Sequence, residues 1–244
     1  MEIQRDWKAE YEGRVEWIRG LVRSSGVKGI VFGNSGGKDS ALVGILCKAA
    51  CDNTVGIIMP CASRRNFGID AQDGRELAEQ YGIETRTVDL TAVREQELKA
   101  LQDVTEMTDL AVSNIAPRLR MTTLYAIAAA ERRLVAGTGN RSEAYMGYYT
   151  KWGDGGHDFN PISDLTATEV FAFLEYLKAP RSIIDKAPSA GLFDGQTDED
   201  EMGVTYKAID TYLLTGEATE EDRSVIERYH RASEHKRRPI ATYR

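Results

Sequence analysis

Serine, glycine and aspartate are concentrated in one short stretch, GNSGGKDS at residues 33–40, between an apolar run and a helical pattern. Successive glycines leave backbone N–H groups free to point into a loop, and a helix N-terminus adds partial positive charge. The hydroxyls of Ser35 and Ser40 can donate to phosphate oxygens. Asp39 would repel phosphates unless a cation lay between them, and Mg²⁺ is commonly held by one or two carboxylates together with substrate phosphates. The stretch therefore predicts a site for a diphosphate and Mg²⁺.

Two other interpretations of this stretch are less consistent with its spacing. A Walker A loop requires G-x-x-x-x-G-K-[ST], but the sixth position from Gly33 is Lys38, and Asp39 follows it in place of a hydroxyl residue. A simple helix cap also favours Asp, Ser and Gly, but a cap does not require Ser-Gly-Gly as well. The diphosphate interpretation is therefore preferred.

The elements around this stretch predict an α/β fold in one domain, residues 1–244. Apolar runs at 29–32 and 54–59 predict buried strands, and residues 84–88 and 134–136 predict a third and a fourth strand. Helical spacing is found at 4–24, 39–51, 70–81, 116–133, 166–178, 202–214 and 219–235. Strands that alternate with helices indicate a doubly wound parallel sheet with helices on both faces. No linker divides the chain.

Composition excludes several classes of protein. A chain of 244 residues with 42% hydrophobic residues can bury a sizeable core. No apolar run approaches the ~18 residues of a membrane span, and the N-terminus has no secretory signal, so a cytoplasmic protein that does not bind membranes is expected. The formal charge of −7 argues against a nucleic-acid surface. The three cysteines are too few for a disulfide framework.

The hexapeptide S-G-G-x-D-S resembles the signature of the ATP-pyrophosphatase (PP-loop) superfamily, whose members have an adenine nucleotide alpha hydrolase-like fold and cleave ATP between the α and β phosphates. Further stretches narrow the resemblance, and they lie at 114–121, 137–143, 147–158, 188–192, 196–199 and 234–239. Their order and separations are similar to those of the ammonia-dependent NAD synthetases. The likeness runs from about residue 10 to the C-terminus.

The resemblance implies that deamido-NAD is amidated to NAD. ATP would adenylate the nicotinate carboxylate, pyrophosphate would leave, and ammonia would displace AMP. The chemistry is reasonable, because a carboxylate is a poor electrophile and an acyl phosphate mixed anhydride supplies a leaving group. Negative charge builds on oxygen in both steps, so cations and N–H dipoles are the expected tools. The chain has no room for the amidohydrolase domain of glutamine-dependent relatives, so ammonia is the expected nitrogen source.

The resemblance also implies roles for individual residues. ATP contacts are expected at Gly33, Ser35, Gly36, Gly37, Lys38, Asp39, Ser40, Arg120, Thr138 and Ser189. Deamido-NAD contacts are expected at Arg118, Arg120, Tyr148, Lys151, Asp154, His235 and Lys236. Mg²⁺ is expected at Asp39 and Glu143, and the catalytic residues are expected to be Asp39, Lys151 and Asp154, the last as a group that orients ammonium and takes its proton. Family members form homodimers, so a homodimer is expected here.

Two positions depart from the family pattern. Ala167 stands where the family has a lysine that contacts the ATP phosphates, and Ser189 replaces a threonine but keeps the hydroxyl. The lost charge predicts weaker ATP binding or slower adenylation, for which Lys38 could partly compensate. We therefore expect Ala167→Lys to raise activity with ATP, measured as kcat/KM.

Alternatives remain open at this stage. The glycine-rich stretch 147–158 could be a mobile surface turn, or a metal site using Asp154, His157 and Asp158. The protein could be a tRNA-modifying relative, although that function calls for a basic face. It could also be a nucleotide-binding relative without catalysis, in which Ala167 marks the loss of adenylation.

Overall fold

The computed structural model describes residues 5–62, 67–186 and 197–243. The sheet of four parallel strands has the order β3-β2-β1-β4. Its strands are β1 (Gly29–Gly33), β2 (Thr54–Ile58), β3 (Glu84–Thr87) and β4 (Arg133–Ala136). In register, Val31 of β1 pairs with Val55 on one side and Val135 on the other. The predicted parallel sheet is confirmed.

Helices connect the strands and cover the sheet. Before β4 the chain forms α1 (Trp7–Ser25), α2 (Lys38–Ala50), α3 (Ile69–Tyr81), α4 (Thr91–Leu101), α5 (Asp109–Ser113) and α6 (Ile115–Glu131). After β4 it forms α7 (Arg141–Met146), α8 (Ala167–Leu177), α9 (Arg181–Ile184), α10 (Asp198–Met202), α11 (Tyr206–Thr215), α12 (Glu220–Ala232) and α13 (Glu234–Arg237). Among the residues that the structure describes, no helix is long and apolar enough to span a membrane.

Alternation along β1 explains why helices cover both faces of the sheet. Ile30 and Phe32 point into a core that includes residues of α1, α2 and α8, whereas Val31 points into a second core with residues of α6. Successive strand side chains point to opposite faces, so a run of apolar residues needs a partner layer on each side. All three side chains are fully buried. The doubly wound arrangement follows from this pattern.

A third, smaller apolar cluster lies beside the sheet. It joins α7, the start of α8, α10, α11 and α12 through Met146, Ala167, Met202, Tyr206, Ile209 and Ile226. This cluster anchors the C-terminal helices against the chain segment that follows β4. It therefore fixes where the residues of α10 and α11 meet the site.

The carboxyl ends of β1 and β4 define the place where a ligand fits this fold. The chain winds outward from β1 in both directions, since β2 and β4 are its two neighbours. The loops that follow two such strands separate and leave a crevice, which is where open α/β sheets bind ligands. Here those loops are residues 34–37 and 137–140. Both carry residues of the predicted site.

Most helix predictions are confirmed within a few residues, but two predicted helices are each divided. The stretch 202–214 is interrupted because Gly203 has a positive φ of 72° and Thr205 caps α11 by accepting from the N–H of Ala208. The stretch 219–235 is divided at Ser233 between α12 and α13. Helix α4 was not predicted. None of its residues is buried, so it lacks the apolar stripe on which the prediction depends.

Candidate active site

The glycine-rich loop ends at a helix N-terminus that is open to a ligand. The N-cap of α2 is Gly37, which has no side chain to accept from the first N–H groups of the helix. Those N–H groups and the helix dipole remain available to an anion. The simple-cap interpretation of the loop is therefore wrong. The serine hydroxyls instead bond within the loop, with Ser35 Oγ 3.0 Å from Ser40 Oγ and Ser40 Oγ donating to the carbonyl of Gly37 at 3.0 Å.

Gly36 allows the loop to approach α3 closely. Its φ is +73°, and a Cβ at this position would lie 2.1 Å from the carbonyl oxygen of Asp70. Only glycine fits both the left-handed conformation and this contact. The first turn of α3 is therefore one wall of the loop.

Asn140 joins the two carboxylates that were predicted to bind Mg²⁺. Its side-chain amide donates to Asp39 Oδ1 at 3.0 Å, and its backbone N–H donates to Glu143 Oε2 at 3.0 Å. The side-chain oxygen of Asn140 in turn accepts from the N–H of Glu143, which completes a capping box at the start of α7. Asn140 is fully buried. The loops after β1 and β4 therefore bring both carboxylates to one residue.

The electrostatics of this pair fit a cation. Burial and the negative charge of Asp39 raise the pKa of Glu143 to about 8. A divalent ion between the two groups would remove the repulsion, and carboxylate oxygens are ligands that Mg²⁺ prefers. Within the described part of the chain, no group of three or more His, Cys, Asp or Glu could hold a metal. Phosphates and water would have to supply the other ligands, and the alternative metal site at Asp154, His157 and Asp158 is not supported.

Lys38 is buried beside these carboxylates. Its ammonium contacts Asp39 Oδ2 and lies 5.7 Å from the ring centroid of Phe171 and 5.4 Å from that of Tyr206. Burial alone would lower the pKa of Lys38, but Asp39 and Glu143 raise it above its ordinary value. The side chain therefore stays charged at neutral pH.

Arg118 and Arg120, near the start of α6, lie between the glycine-rich loop at residues 33–40 and the glycine-rich stretch at residues 147–158. The Nε of Arg120 donates to the carbonyl of Met59, just after β2, at 3.1 Å. Burial lowers the pKa of Arg120, while Cys61, Asp154 and Asp70 act in the opposite direction. Arg118 is exposed and donates to the carbonyl of Lys151 at 3.5 Å. The two arginines that were predicted to contact phosphates therefore border both of these segments.

The C-terminal helix α13 holds the glycine-rich stretch in place. Lys236 Nζ donates to the carbonyls of Gly147 and Tyr149, at 2.7 and 2.6 Å. Lys151 Nζ donates to the carbonyl of His235 at 2.6 Å. Residues that were predicted to bind deamido-NAD are thus brought together from positions more than 80 apart in sequence. These cross-links contradict the interpretation of the stretch as a mobile surface turn.

Asp154 and Tyr148 are also tied into this assembly. Asp154 taken as a whole residue is exposed to solvent. Its carboxylate is nevertheless held in place, because Oδ1 accepts from the N–H of Thr150 at 2.8 Å. Desolvation raises the pKa of Asp154, while the Thr150 hydrogen bond and the charges of Lys236 and Arg120 oppose the rise. The hydroxyl of Tyr148 donates to Glu201 Oε2 at 2.6 Å, and burial and this bond raise the pKa of Tyr148.

The sequence also singled out Thr138, Ser189 and Ala167. Thr138 is half-buried in the loop after β4, at the crevice. Ser189 lies outside the described residues. Ala167 is fully buried in the third apolar cluster, and its N–H donates to Ser142 Oγ at 3.1 Å. The expected gain in activity from Ala167→Lys stays a prediction.

The sequence did not single out several residues that shape the site. Asn140 joins the carboxylates, and the hydroxyl of Tyr206 donates to Asp198 Oδ2 at 3.2 Å beside Lys38. Asn114 Oδ1 accepts from the hydroxyl of Thr150. The N-x-x-E spacing of residues 140–143 is a capping-box pattern that could have identified Asn140. A tyrosine within a helical pattern usually packs in the hydrophobic core, so the sequence gave no reason to assign Tyr206 to the site.

Comparisons with known proteins extend over nearly the whole chain. The NAD synthase family model matches residues 10–241. The NH(3)-dependent NAD(+) synthetase of Carboxydothermus hydrogenoformans is 48% identical over 236 residues, 96% of each chain. The protein of the same name from Archaeoglobus fulgidus is 43% identical over 243 residues, 94% of each chain.

Solved structures show the same likeness. The NMN synthetase of Francisella tularensis superposes with a TM-score of 0.93 at 38% identity, covering 98% of this chain and 99% of its own. The NH3-dependent NAD synthetase of Campylobacter jejuni, in complex with the nitrate ion, gives a TM-score of 0.80 at 28% identity, covering 99% and 100%. The chain belongs to the NAD synthase family.

Proposed function

We propose that the assembled site carries out the reaction of an ammonia-dependent NAD synthetase, in which deamido-NAD, ATP and ammonia give NAD, AMP and pyrophosphate. The observation that carries the proposal is that two groups of predicted site residues meet in the structure. One is the phosphate-binding loop with Asp39 and Glu143, and the other is the stretch around Lys151 and Asp154. The family membership and the names of relatives 40–48% identical support the same reaction.

In the first step, an oxygen of the nicotinate carboxylate attacks the α-phosphorus of ATP. The bond from this phosphorus to the bridging oxygen breaks, and pyrophosphate leaves. The N–H groups at the start of α2 and the hydroxyls of Ser35 and Ser40 would bind the departing phosphates, and the charge of Lys38 would attract them. Preorganised donors of this kind stabilise charge where it develops. Mg²⁺ held by Asp39 and Glu143 would neutralise charge on the phosphates when bound.

In the second step, ammonia attacks the adenylated carbonyl and AMP leaves with the oxygen it shares with the former carboxylate. Ammonium has no lone pair, so it must first lose a proton, and the adduct must lose another. Asp154 is suited to accept a proton because desolvation raises its pKa. Lys151 belongs to the same stretch and would orient the carbonyl oxygen by charge.

The association state, the metal and the location of the protein are also proposals. A homodimer, bound Mg²⁺ and a cytoplasmic location are expected from the sequence. Two carboxylates joined by Asn140 support the metal. We also propose ATP contacts at Thr138 and Ser189 and dinucleotide contacts at His235 and Lys236.

A second candidate differs only in the acid that is amidated. The high TM-score with the Francisella tularensis NMN synthetase supports nicotinate mononucleotide as substrate, with NMN as product. The carboxylate and both steps would be the same. The two acids differ by an adenylate group, so the choice depends on contacts far from the reacting carboxyl.

The test is a product assay with purified protein, Mg-ATP and ammonium chloride, in which deamido-NAD and nicotinate mononucleotide are supplied separately and together. Chromatography should show NAD with equal amounts of AMP, and a higher kcat/KM for deamido-NAD. Glutamine in place of ammonium should give little product. Asp39→Asn serves as the inactive control. A preference for the mononucleotide would favour the second candidate, and formation of neither amide would contradict both.

A further inference from the structure

Lys38 is buried beside the two carboxylates, Asp39 and Glu143, that the proposed function assigns to the metal. Its side chain is only 6% exposed, and its ammonium contacts Asp39 Oδ2. Glu143 and Asp198 are close enough to attract it electrostatically. Three carboxylates thus attract one lysine whose side chain is largely shielded from water. A buried charge is stable only with such partners.

The ammonium is held from its other side as well. The rings of Phe171 on α8 and Tyr206 on α11 lie within 6 Å of it, which is the range of a cation–π contact. The Tyr206 hydroxyl is bonded to Asp198, so this ring has a fixed orientation. Lys38 is therefore seated in a built position rather than extended into solvent.

Both carboxylate oxygens of Asp39 already have partners. Oδ1 accepts from the side-chain amide of Asn140 at 3.0 Å, and Oδ2 is in contact with Lys38. A divalent ion at Oδ2 would lie against an ammonium of like charge, and that repulsion is strong where the local dielectric constant is low. Binding of a metal to Asp39 therefore requires Lys38 to move off this oxygen.

We propose that Lys38 serves as the cation of the nucleotide-free site, and that a divalent ion binds Asp39 only when ATP phosphates draw the Lys38 ammonium away. The proposal rests on the proposed function for the assignment of Asp39 and Glu143 to the metal. Metal and nucleotide then bind cooperatively, because each removes a cost of binding the other. After the exchange, the ammonium lies on the phosphates.

The first test measures Mn²⁺ binding to nucleotide-free protein from the electron paramagnetic resonance signal of free Mn²⁺. Lys38→Met should bind Mn²⁺ at least about tenfold more tightly than the wild type, since the competing charge is gone. The matched control is Lys48→Met, which removes a lysine of the same helix that pairs with Asp52 at 3.5 Å. Its Mn²⁺ affinity should equal that of the wild type. Equal affinity in Lys38→Met and the wild type would overturn the proposal.

The second test needs no variant, in case Lys38→Met does not fold. The melting temperature of the wild type is measured with Mg²⁺ alone, with α,β-methylene-ATP alone, and with both. The pair together should raise it by more than the sum of the separate shifts, and Mg²⁺ alone should leave it unchanged. A clear rise with Mg²⁺ alone would contradict the proposal. Neither test uses the acid substrate, so failure here is distinct from failure to make NAD.

Discussion

Glu143 shows how one residue depends on its neighbours. Burial and Asp39 raise the pKa of Glu143 to about 8 from an ordinary 4.5. Between these two values the folded protein keeps a proton that the unfolded chain has lost. The free energy of unfolding therefore falls as the pH rises through this window, because the folded state binds more protons.

Glu143→Gln tests this dependence. Glutamine carries no charge at any pH, so position 143 no longer contributes to the pH dependence of the free energy of unfolding. The variant should therefore lose less stability than the wild type between about pH 5 and about pH 8. Urea unfolding of the ligand-free protein at several pH values measures the difference. The same pH dependence in both proteins would show that Glu143 is not the group responsible. Product formation by Glu143→Gln should be strongly reduced, since a proposed metal ligand is lost.

Residue types could be predicted from the sequence where ligand chemistry dictates them. Ser35, Asp39 and Ser40 were predicted as ligand contacts because a diphosphate needs hydroxyls, free N–H groups and a cation at fixed spacing. Asn140 was missed because its role is to join two carboxylates from separate loops. That role depends on the sheet order, which brings the ends of β1 and β4 together; the local N-x-x-E pattern indicates only the cap at the start of α7.

At the scale of elements, the approach of α3 to the glycine-rich loop at residues 33–40 depends on Gly36. Gly36→Ala would place a Cβ 2.1 Å from the Asp70 carbonyl and would strain a φ of +73°. The loop or the start of α3 must shift, so ATP binding should fall by at least about tenfold and stability should fall as well. Isothermal titration with α,β-methylene-ATP and urea unfolding measure the two effects.

Gly26→Ala is the matched control for Gly36→Ala. Gly26 has a similar φ of +65°, but a Cβ there would meet nothing within 4 Å. This variant should lose only about 1 kcal/mol of stability from backbone strain and should bind nucleotide normally. Equal nucleotide affinity in the two variants would show that the contact with Asp70 has no part in forming the loop.

Lys186 ties the end of α9 to the first turn of α3. Its ammonium lies 2.6 Å from Asp70 Oδ1 and 2.7 Å from Asp73 Oδ2, and all three side chains are largely buried. Lys186→Met removes the cation that both carboxylates share, so the free energy of unfolding should fall by about 3–5 kcal/mol. Urea unfolding measures the loss.

The exposed Lys99 supplies the control for this experiment. Lys99→Met should change stability by less than about 0.5 kcal/mol. Adding Asp73→Asn to Lys186→Met should restore part of the loss, because it removes one of the two carboxylates that Lys186 neutralises. A loss of less than about 1 kcal/mol in Lys186→Met would contradict a structural role for the bridge.

Elements with a continuous apolar face could be predicted well. Helices α2 and α3 and all four strands were located within one residue, and α1 within three residues. The three helices each bury residues against the sheet. Helix α4 buries none of its residues and was missed. The division between α10 and α11 depends on the positive φ of Gly203 and the cap at Thr205, which interrupt an otherwise uniform spacing.

At the scale of the whole molecule, the proposed homodimer gives a direct expectation. The chain has a mass of 27.1 kDa, so sedimentation equilibrium should report a species of twice that mass at micromolar concentration. A species of one chain mass across the whole range would contradict the dimer. The sequence predicts the dimer only through resemblance, because apolar helix faces also serve the core of a monomer. One NAD synthetase domain over residues 1–244 likewise stays a prediction.

The central claim is that the carboxylate of the substrate is adenylated before nitrogen enters. Deamido-NAD labelled with ¹⁸O in the nicotinate carboxylate tests it, with mass spectrometry of the nucleotide and phosphate products. Attack of that carboxylate on the α-phosphorus predicts one ¹⁸O in each AMP, none in pyrophosphate, and one retained in the amide of NAD. Label in orthophosphate together with ADP, or AMP without label, would contradict the account.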